Sequence, residues 1–456
     1  MLEKFFRPLG YADNLPTEVR QSREEGKDVS SVERVAKVIF ESPKIPQREQ
    51  AAGSIYDKLA QEPVIENFRY VEPSDLKSIQ AARPKYERVV RPPEIEEQKM
   101  YDKVYGAWLG RTAGVLLGQP VEGWHRDRIV GLLKDTDNHP INYYISSNIP
   151  QDLRDKYQVV DKPGPYGSPH KNWINNIDMA PKDDDTDYTI IGLKILEEYG
   201  PDFKPVDVAE TWLSYLPVRR ACTAERVAYK NLVNGQLPPE SATYRNPFRE
   251  WIGAQIRGDF FGYITPGKPE LAADMAWRDA SISHTKNGIY GEMNVAAMLS
   301  TAAVTNNVGE IIQGGLKQIP EKSRLTEGIQ EVMKWKKEGI TWQQALDRVH
   351  EKYDEKVEHD WCHTISNAMI VDIALLYGDL DLEKTVGITV MAGFDTDCNA
   401  ATAGSIVGMV VGAEKLPSKW TAPLNDQLRT NVEDGVVNIS DLAKRTMEVK
   451  KKLHFV

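Results

Sequence analysis

A chain of 456 residues, 41% of them hydrophobic, has material for one large domain with an extension, or for two or three domains. Its formal net charge of -10 argues against a nucleic-acid-binding protein, which carries a basic face, but leaves room for a small anion held by local amides and arginines. Three cysteines (Cys222, Cys362 and Cys398), odd in number and far apart, fit neither a disulfide framework nor a zinc pattern. We therefore expect a reducing, cytoplasmic setting. The opening MLEKFFRPLGYADNLP lacks the apolar core of a secretory signal, and no apolar run reaches the roughly 18 residues of a membrane helix.

Residues 1–96 are polar and broken by Pro43, Pro46, Pro63 and Pro73. Two helical patterns stand out. SSVERVAKVIF opens with a capping-box spacing, Ser30 to Glu33, and sets Val32, Val35, Ala36 and Ile39 on one face. REQAAGSIYDKLAQ does the same with Ala52, Ile55, Tyr56 and Leu59. The prolines of RPPEIEEQ (Arg91–Gln98) predict a boundary, which makes 1–96 a helical extension, a packing arm or an oligomer contact, and 97–456 the main domain.

The main domain reads as successive helices. YDKVYGAWLGRTAGVLLG places Gly106, Gly110, Gly114 and Gly118 four residues apart, a small-residue stripe another helix can approach closely. Residues 134–182 are polar with Tyr143, Tyr144, Tyr157, Tyr166 and Trp173, and have no clear period; stretches of this kind are often functional loops. DYTIIGLKILEEYG is helical and stops at Gly200-Pro201, and NVAAMLSTAAVT and NAMIVDIALLYG are helical too. Convincing alternating strands are absent, so the fold class is all-α.

Two acidic clusters each precede a helix: Asp183, Asp184, Asp185 and Asp187 in DDDTDY, and Asp395 and Asp397 in GFDTDCNAATAG. Any one of these aspartates suits an N-cap or the positive end of a helix dipole. Their number does not, because a helix end offers only about half a charge. Gly393, Ala400, Ala401 and Gly404 hem in the second cluster and suggest burial, where unpaired carboxylates are costly. An oxygen-only set of this kind suits Mg²⁺, Mn²⁺ or Ca²⁺, and two clusters meeting in space would hold two ions roughly 3.5–4 Å apart.

Four motifs, in order, carry a family resemblance: GVLLGQPVE (Gly114–Glu122), DDDTDYT, the segment GAQIRGDFFGYITPGKPELAADMAWRDASISHT (Gly253–Thr285), and GFDTDCNAATAGSIVGMVVGA. Over roughly residues 98–425 the chain resembles the ADP-ribosylglycohydrolases, which include dinitrogenase reductase-activating glycohydrolase and the ADP-ribosyl-acceptor hydrolases. The resemblance implies an orthogonal all-α bundle with a dinuclear Mg²⁺ site and an ADP-ribosylated protein or small ribosyl conjugate as substrate. It implies metal ligation by Asp184, Asp185, Asp395 and Asp397, with Asp183 and Cys398 where the family has Ser/Thr and Thr ligands. Glu122 falls at the catalytic glutamate, alongside Asp184 and Asp397. Gly253, Ala254, Gln255 and Arg257 fall in the segment lining the ADP-ribose site. Cys398, Asp183 and Val115 depart from the family pattern, so the leaving group stays open.

Asp259 is placed either to bond a sugar hydroxyl or to pair with Arg257. His284 and Asn367 are further substrate-side candidates, with His363 beside the latter. Trp124 could stack on a base or simply pack, and Gly288, Gly291 and Glu292 shape a helix start. Two other readings compete: a catalytically silent ADP-ribose-binding or structural member of the same fold, and a haloacid dehalogenase-type phosphatase, whose first aspartate would have to end a parallel strand.

Overall fold

The computed structural model describes residues 7–85, 94–164, 168–433 and 435–453. Tyr166 and the prolines of the boundary motif, Pro92 and Pro93, lie outside them. The described chain is a bundle of helices whose sole sheet is one antiparallel pair, β1 (Gln427–Arg429) and β2 (Val436–Asn438), with Leu428 opposite Val437.

The extension contributes α1 (Leu15–Glu24), α2 (Ser30–Glu41) and α3 (Pro46–Gln61). These share a small core of Ala12, Leu15, Val19, Val32, Ala36, Ala52, Tyr56 and Leu59. The expected capping box does not form. Ser30 is already helical and its amide is taken by Asp28 Oδ1 at 2.9 Å, while Val35 is half exposed. The next helix, α4 (Leu76–Ala82), instead inserts Ile79 into the main core.

Ion pairs fix the extension to the body. Arg249 binds Glu18 and Glu25 at 2.7 Å each, and Arg324 binds Glu72 and Glu250 at 2.7 Å each. Glu24, His359 and His363 also converge there. They are poorly disposed to hold a metal, because Nδ1 of His359 accepts from Trp251 and Nδ1 of His363 accepts from the Ile365 amide, both at 3.2 Å. Each neutral ring must then carry its proton on Nε2, the atom that faces Glu24.

The body is organised around α5 (Glu97–Gly118), α6 (Asp184–Tyr199), α7 (Thr223–Val233), α8 (Asn287–Ala302), α9 (Thr364–Gly378) and α10 (Thr396–Val411). Its most extensive contact is between α5 and α10, and the glycine stripe explains it. Gly106 faces Gly408, Gly110 faces Gly404, Gly114 faces Ala400, and Gly118 faces Thr396, so the helices run antiparallel. A Cβ on Gly110 or Gly114 would lie 2.1 Å from a carbonyl oxygen of the other helix. Direct backbone contact leaves no slack along the axis. The C-terminal end of α5, leading to Glu122, is thereby pinned beside the N-terminal end of α10, where Asp395 and Asp397 sit. Among the described residues of 134–182, past the end of a helix at Asp135, there are a six-residue helix (Gln151–Lys156) and a 3-10 turn (Ile174–Asn176).

One buried charge serves no such contact. Asp372 on α9 is 1% exposed, neither of its oxygens has a donor among the described residues, and burial alone pushes its carboxyl up to about 8. The folded value lies above the unfolded value near 4, so folding binds a proton. Stability is therefore full below pH about 4 and falls as the pH rises to about 8. Asp372→Asn, which mimics the protonated form, should be more stable than the wild type at pH 8, by on the order of 5 kcal/mol at most. The gap should close towards pH 4. Urea unfolding at both pH values checks this, and a gap independent of pH contradicts it.

Candidate metal centre and cleft

Each acidic cluster is aimed by its own local structure. Asp183 caps α6: its Oδ1 accepts the Asp185 amide at 2.9 Å, and its Oδ2 accepts the Gln119 side-chain amide. Asp187 faces away and accepts from Thr430, from the Asn431 amide and from the Asn431 side chain at 2.6–3.0 Å, tying the C-terminal segment to α6. Asp184 is the half-buried member, while Asp183 and Asp185 are inaccessible to solvent. The second cluster follows a turn in which Gly393 and Phe394 both have positive φ, at 75° and 55°. That is an unfavourable conformation for a phenylalanine, of the kind found where a side chain must be aimed. His350 supports the turn by a 2.8 Å bond to the Ala392 carbonyl and by ring contact with Phe394.

The clusters meet. Ligand atoms of Asp183, Asp184 and Asp185 lie within 4.8 Å of one another, as do those of Asp395, Asp397 and Cys398. The Cys398 thiol lies near both Asp185 and Asp395, between the two sets. Glu122, half-buried, feels Asp397, Asp184 and Asp185. Burial first, and mutual repulsion second, push the Glu122, Asp183 and Asp395 carboxyls well above the carboxylate range. Burial also raises Asp185 to about 7, against the pull of Arg111, and Asp397 to about 6. One buried oxygen of Asp185 and one of Asp397 have no donor among the described residues.

Crowded, buried, acceptor-only oxygens without donors fit a hard divalent cation. Burial and the surrounding carboxylates push the Cys398 thiol up.

Two arginines brace the site from below. Arg111 was not singled out in the sequence, although it is the lone charge in the glycine-rich run of α5. It is fully buried, binds the Asp185 carbonyl at 2.7 Å and its carboxylate at 3.3 Å, donates to the Ile256 carbonyl, and pairs with Asp259 at 2.9 Å. Removing it strands two buried carboxylates, so Arg111→Met should cost about 3–5 kcal/mol of stability in chemical unfolding. A loss below 1 kcal/mol would contradict the bracing role.

Arg257 is turned inward. It binds Asp279, Glu225, the Gly253 carbonyl and Ser283, and is 1% exposed. It therefore holds the Gly253–Arg257 segment in place. Asp259 pairs with Arg111 and not with Arg257, and it too is fully buried.

The remaining candidates are placed as follows. Gly253 leaves room for the Glu225 carboxylate, which a Cβ would meet at 1.7 Å. Glu225, unnoticed in the sequence because one acidic residue in a first helical turn looks ordinary, is raised to about 7 by burial against the pull of Arg257. Ala254 is buried, and Gln255 keeps a buried amide oxygen without a donor among the described residues. His284 is buried, bonded to Ser283 and held neutral by burial and by Arg257. Asn367 uses its amide nitrogen on the Trp361 and His363 carbonyls, and its oxygen accepts from the Asp395 amide and Asn399, so it positions the metal turn. Trp124 packs, with Arg128 over its face and Trp173 at its edge.

The long loop reaches the site at Lys171–Trp173. Asn172 bonds Gln119, and Lys171 Nζ bonds the Pro120 carbonyl at 3.1 Å, next to Glu122. Ala180 then pairs with β1 through two 3.0 Å bonds, which fixes the approach to Asp183. Asp395 is preceded by a turn after a helix (Leu382–Met391), not by a parallel strand, which removes the phosphatase reading.

Residues 96–452 match the ADP-ribosylglycohydrolase family model. The chain belongs to the ADP-ribosylglycohydrolase family. Among solved structures, one described as an ADP-ribosylglycohydrolase-related protein complex is 17% identical, with 78% of this chain and 99% of that chain covered at a TM-score of 0.45. No curated protein matches the sequence. Family membership accounts for the all-α architecture and makes this a glycohydrolase-type scaffold. Among the described residues, no helix is long and apolar enough to cross a membrane.

Proposed function

We propose that the chain is a metal-dependent hydrolase that cleaves the glycosidic bond of an ADP-ribosyl or related ribosyl conjugate. The observation that carries this reading is the convergence of Glu122 with two buried aspartate clusters in which, even with Arg111 paired to Asp185, one oxygen of Asp185 and one of Asp397 have no donor among the described residues. Asp184, Asp185, Asp395 and Asp397 are the residues that would hold two Mg²⁺ ions, with Mn²⁺ or Ca²⁺ as alternatives; the ions would supply Lewis acidity and lower the pKa of bound water. Hydrolysis at an anomeric carbon passes through an oxocarbenium-like state. Glu122, beside Asp184, Asp185 and Asp397, is the base placed to take the proton of the attacking water. Cys398 lies beside Asp395 and Asp397 and could complete the ligand set. Gly253, Ala254 and Gln255 offer backbone amides and one side-chain amide to the substrate, held by Arg257 and Glu225 behind them. Asp259, His284 and Asn367 act through this framework and not by contact.

The test is incubation with Mg²⁺ or Mn²⁺ and a panel of arginine- and serine-linked ADP-ribosyl peptides and small ribosyl conjugates. Release of the free sugar, lost in Glu122→Gln, supports the reading. Binding of ADP-ribose without turnover of any conjugate would favour a silent member of the fold.

A further inference from the structure

Two backbone segments of the metal centre meet one carboxylate that the mechanism does not use. Glu355 lies in the loop between the helices Trp342–Lys352 and Glu358–Cys362. It is half-buried, and both of its oxygens accept the Arg126 amide at 3.0 Å. That amide is the first of the helix Arg126–Asp135, whose N-cap, His125, makes no side-chain cap bond. A carboxylate 229 positions away satisfies it instead.

A cap needs nothing more, but Glu355 has a second neighbour. Its Oε2 presses on Gly393, where an added Cβ would lie 2.3 Å from it, and the Phe394 backbone lies near the same carboxylate. Gly393 and Phe394 are the positive-φ turn that leads into Asp395. His350, five residues before Glu355, holds the same turn by donating to the Ala392 carbonyl at 2.8 Å. Residues 350–355 therefore grip the backbone just before Asp395 and the backbone four residues after Glu122.

Glu122 sits between two anchors. Its own amide bonds the Gln119 carbonyl at 3.3 Å, and the Trp124 amide bonds the Val121 carbonyl at 2.9 Å, which makes a tight turn. The glycine contacts of α5 fix the entry to that turn, and Glu355 fixes its exit. The neighbouring pair of Arg126 and Asp347, at 2.7 Å, is exposed at Asp347 and worth little.

We propose that Glu355 is a positioning residue for the metal-dependent hydrolysis: by holding both backbones, its carboxylate sets how closely Glu122 faces Asp395 and Asp397. This rests on the function proposed above. Glu355 acts through those residues and not by contact with the reacting atoms. A misplacement of about 1 Å at a reacting group is enough to cost rate on the order of a hundredfold.

Calorimetric titration of Mg²⁺ into the metal-stripped full chain, beside steady-state kinetics on the conjugate of the panel turned over fastest, tests this in three variants. Glu355→Leu keeps the bulk and removes both acceptors. It should weaken Mg²⁺ binding about tenfold and lower kcat about tenfold or more. KM should stay within about twofold, because residues 253–255 are held separately by Arg257. Glu355→Gln, which keeps one acceptor oxygen, should lose about threefold in Mg²⁺ affinity and in kcat. Asp347→Ala, which breaks only the surface pair, should behave as the wild type. A Glu355→Leu that melts lower but keeps wild-type Mg²⁺ affinity and kcat overturns the proposal. If that variant does not fold, Glu355→Gln decides, and wild-type values in it overturn the proposal. Wild-type protein that binds Mg²⁺ but turns over no conjugate removes the hydrolase reading, and the Mg²⁺ affinities of the variants then decide the positioning role alone. Wild-type protein that binds no Mg²⁺ overturns both.

Discussion

Asp395→Asn should produce a protein that is more stable without metal and inactive with it. Asp395 is 5% exposed, and burial followed by repulsion from Asp397 pushes its carboxyl up. Neutralising it relieves that repulsion, and we expect the metal-free variant to gain about 1–2 kcal/mol, a Tm a few degrees higher. The same change removes a hard anionic ligand. Catalysis should fall by roughly 10³-fold or more, the several kcal/mol a bound metal supplies to a developing charge. Stabilisation by added Mg²⁺ should shrink with it. Thermal melts with and without Mg²⁺, read beside an assay of sugar release, check both halves. A purely structural aspartate would give the opposite sign in the metal-free melt.

Gly114→Ala should unfold much of the domain. In an ordinary helix interior, replacing glycine with alanine gains up to about 1 kcal/mol. Here the new methyl would sit 2.1 Å from the Ala400 carbonyl oxygen and 2.3 Å from its carbon, against backbone that cannot rotate away. α5 and α10 would have to separate, at roughly 3 kcal/mol or more. Separation also draws Glu122 away from Asp397, so any folded remainder should bind Mg²⁺ weakly. Urea unfolding gives the stability, and a variant as stable as the wild type would refute the packing argument.

The sequence carried the parts of this design that depend on spacing. The four-residue glycine repeat, the two acidic clusters and the absence of strands were all visible, and they led to the family and the fold class. What the sequence could not reveal was which buried charge answers which. Asp259 looked as though it faced either a sugar or Arg257, two residues away. It meets Arg111, which is 148 positions earlier and had drawn no notice because one arginine in an apolar helix has no periodic signature.

Arg257 and Glu225 form the same kind of long-range pair, which turns the guanidinium inward. Asp187 looked like part of the metal cluster by proximity alone. The helical twist carries it to the far side, where Thr430 and Asn431 take up its oxygens. In the extension, the Ser30–Glu33 spacing suggested a cap, but the helix starts one residue too early for the serine to act as one.

The proposed hydrolysis requires the two aspartate clusters to act as one metal centre. Calorimetric titration of Mg²⁺ into the metal-stripped full chain, in parallel with Asp184→Asn and Asp395→Asn, measures this directly. Two ions per wild-type chain, with binding weakened by either substitution although the two residues lie on different helices, is the predicted result. Wild-type protein that takes up no Mg²⁺ or Mn²⁺, or uptake that neither substitution alters, would contradict it.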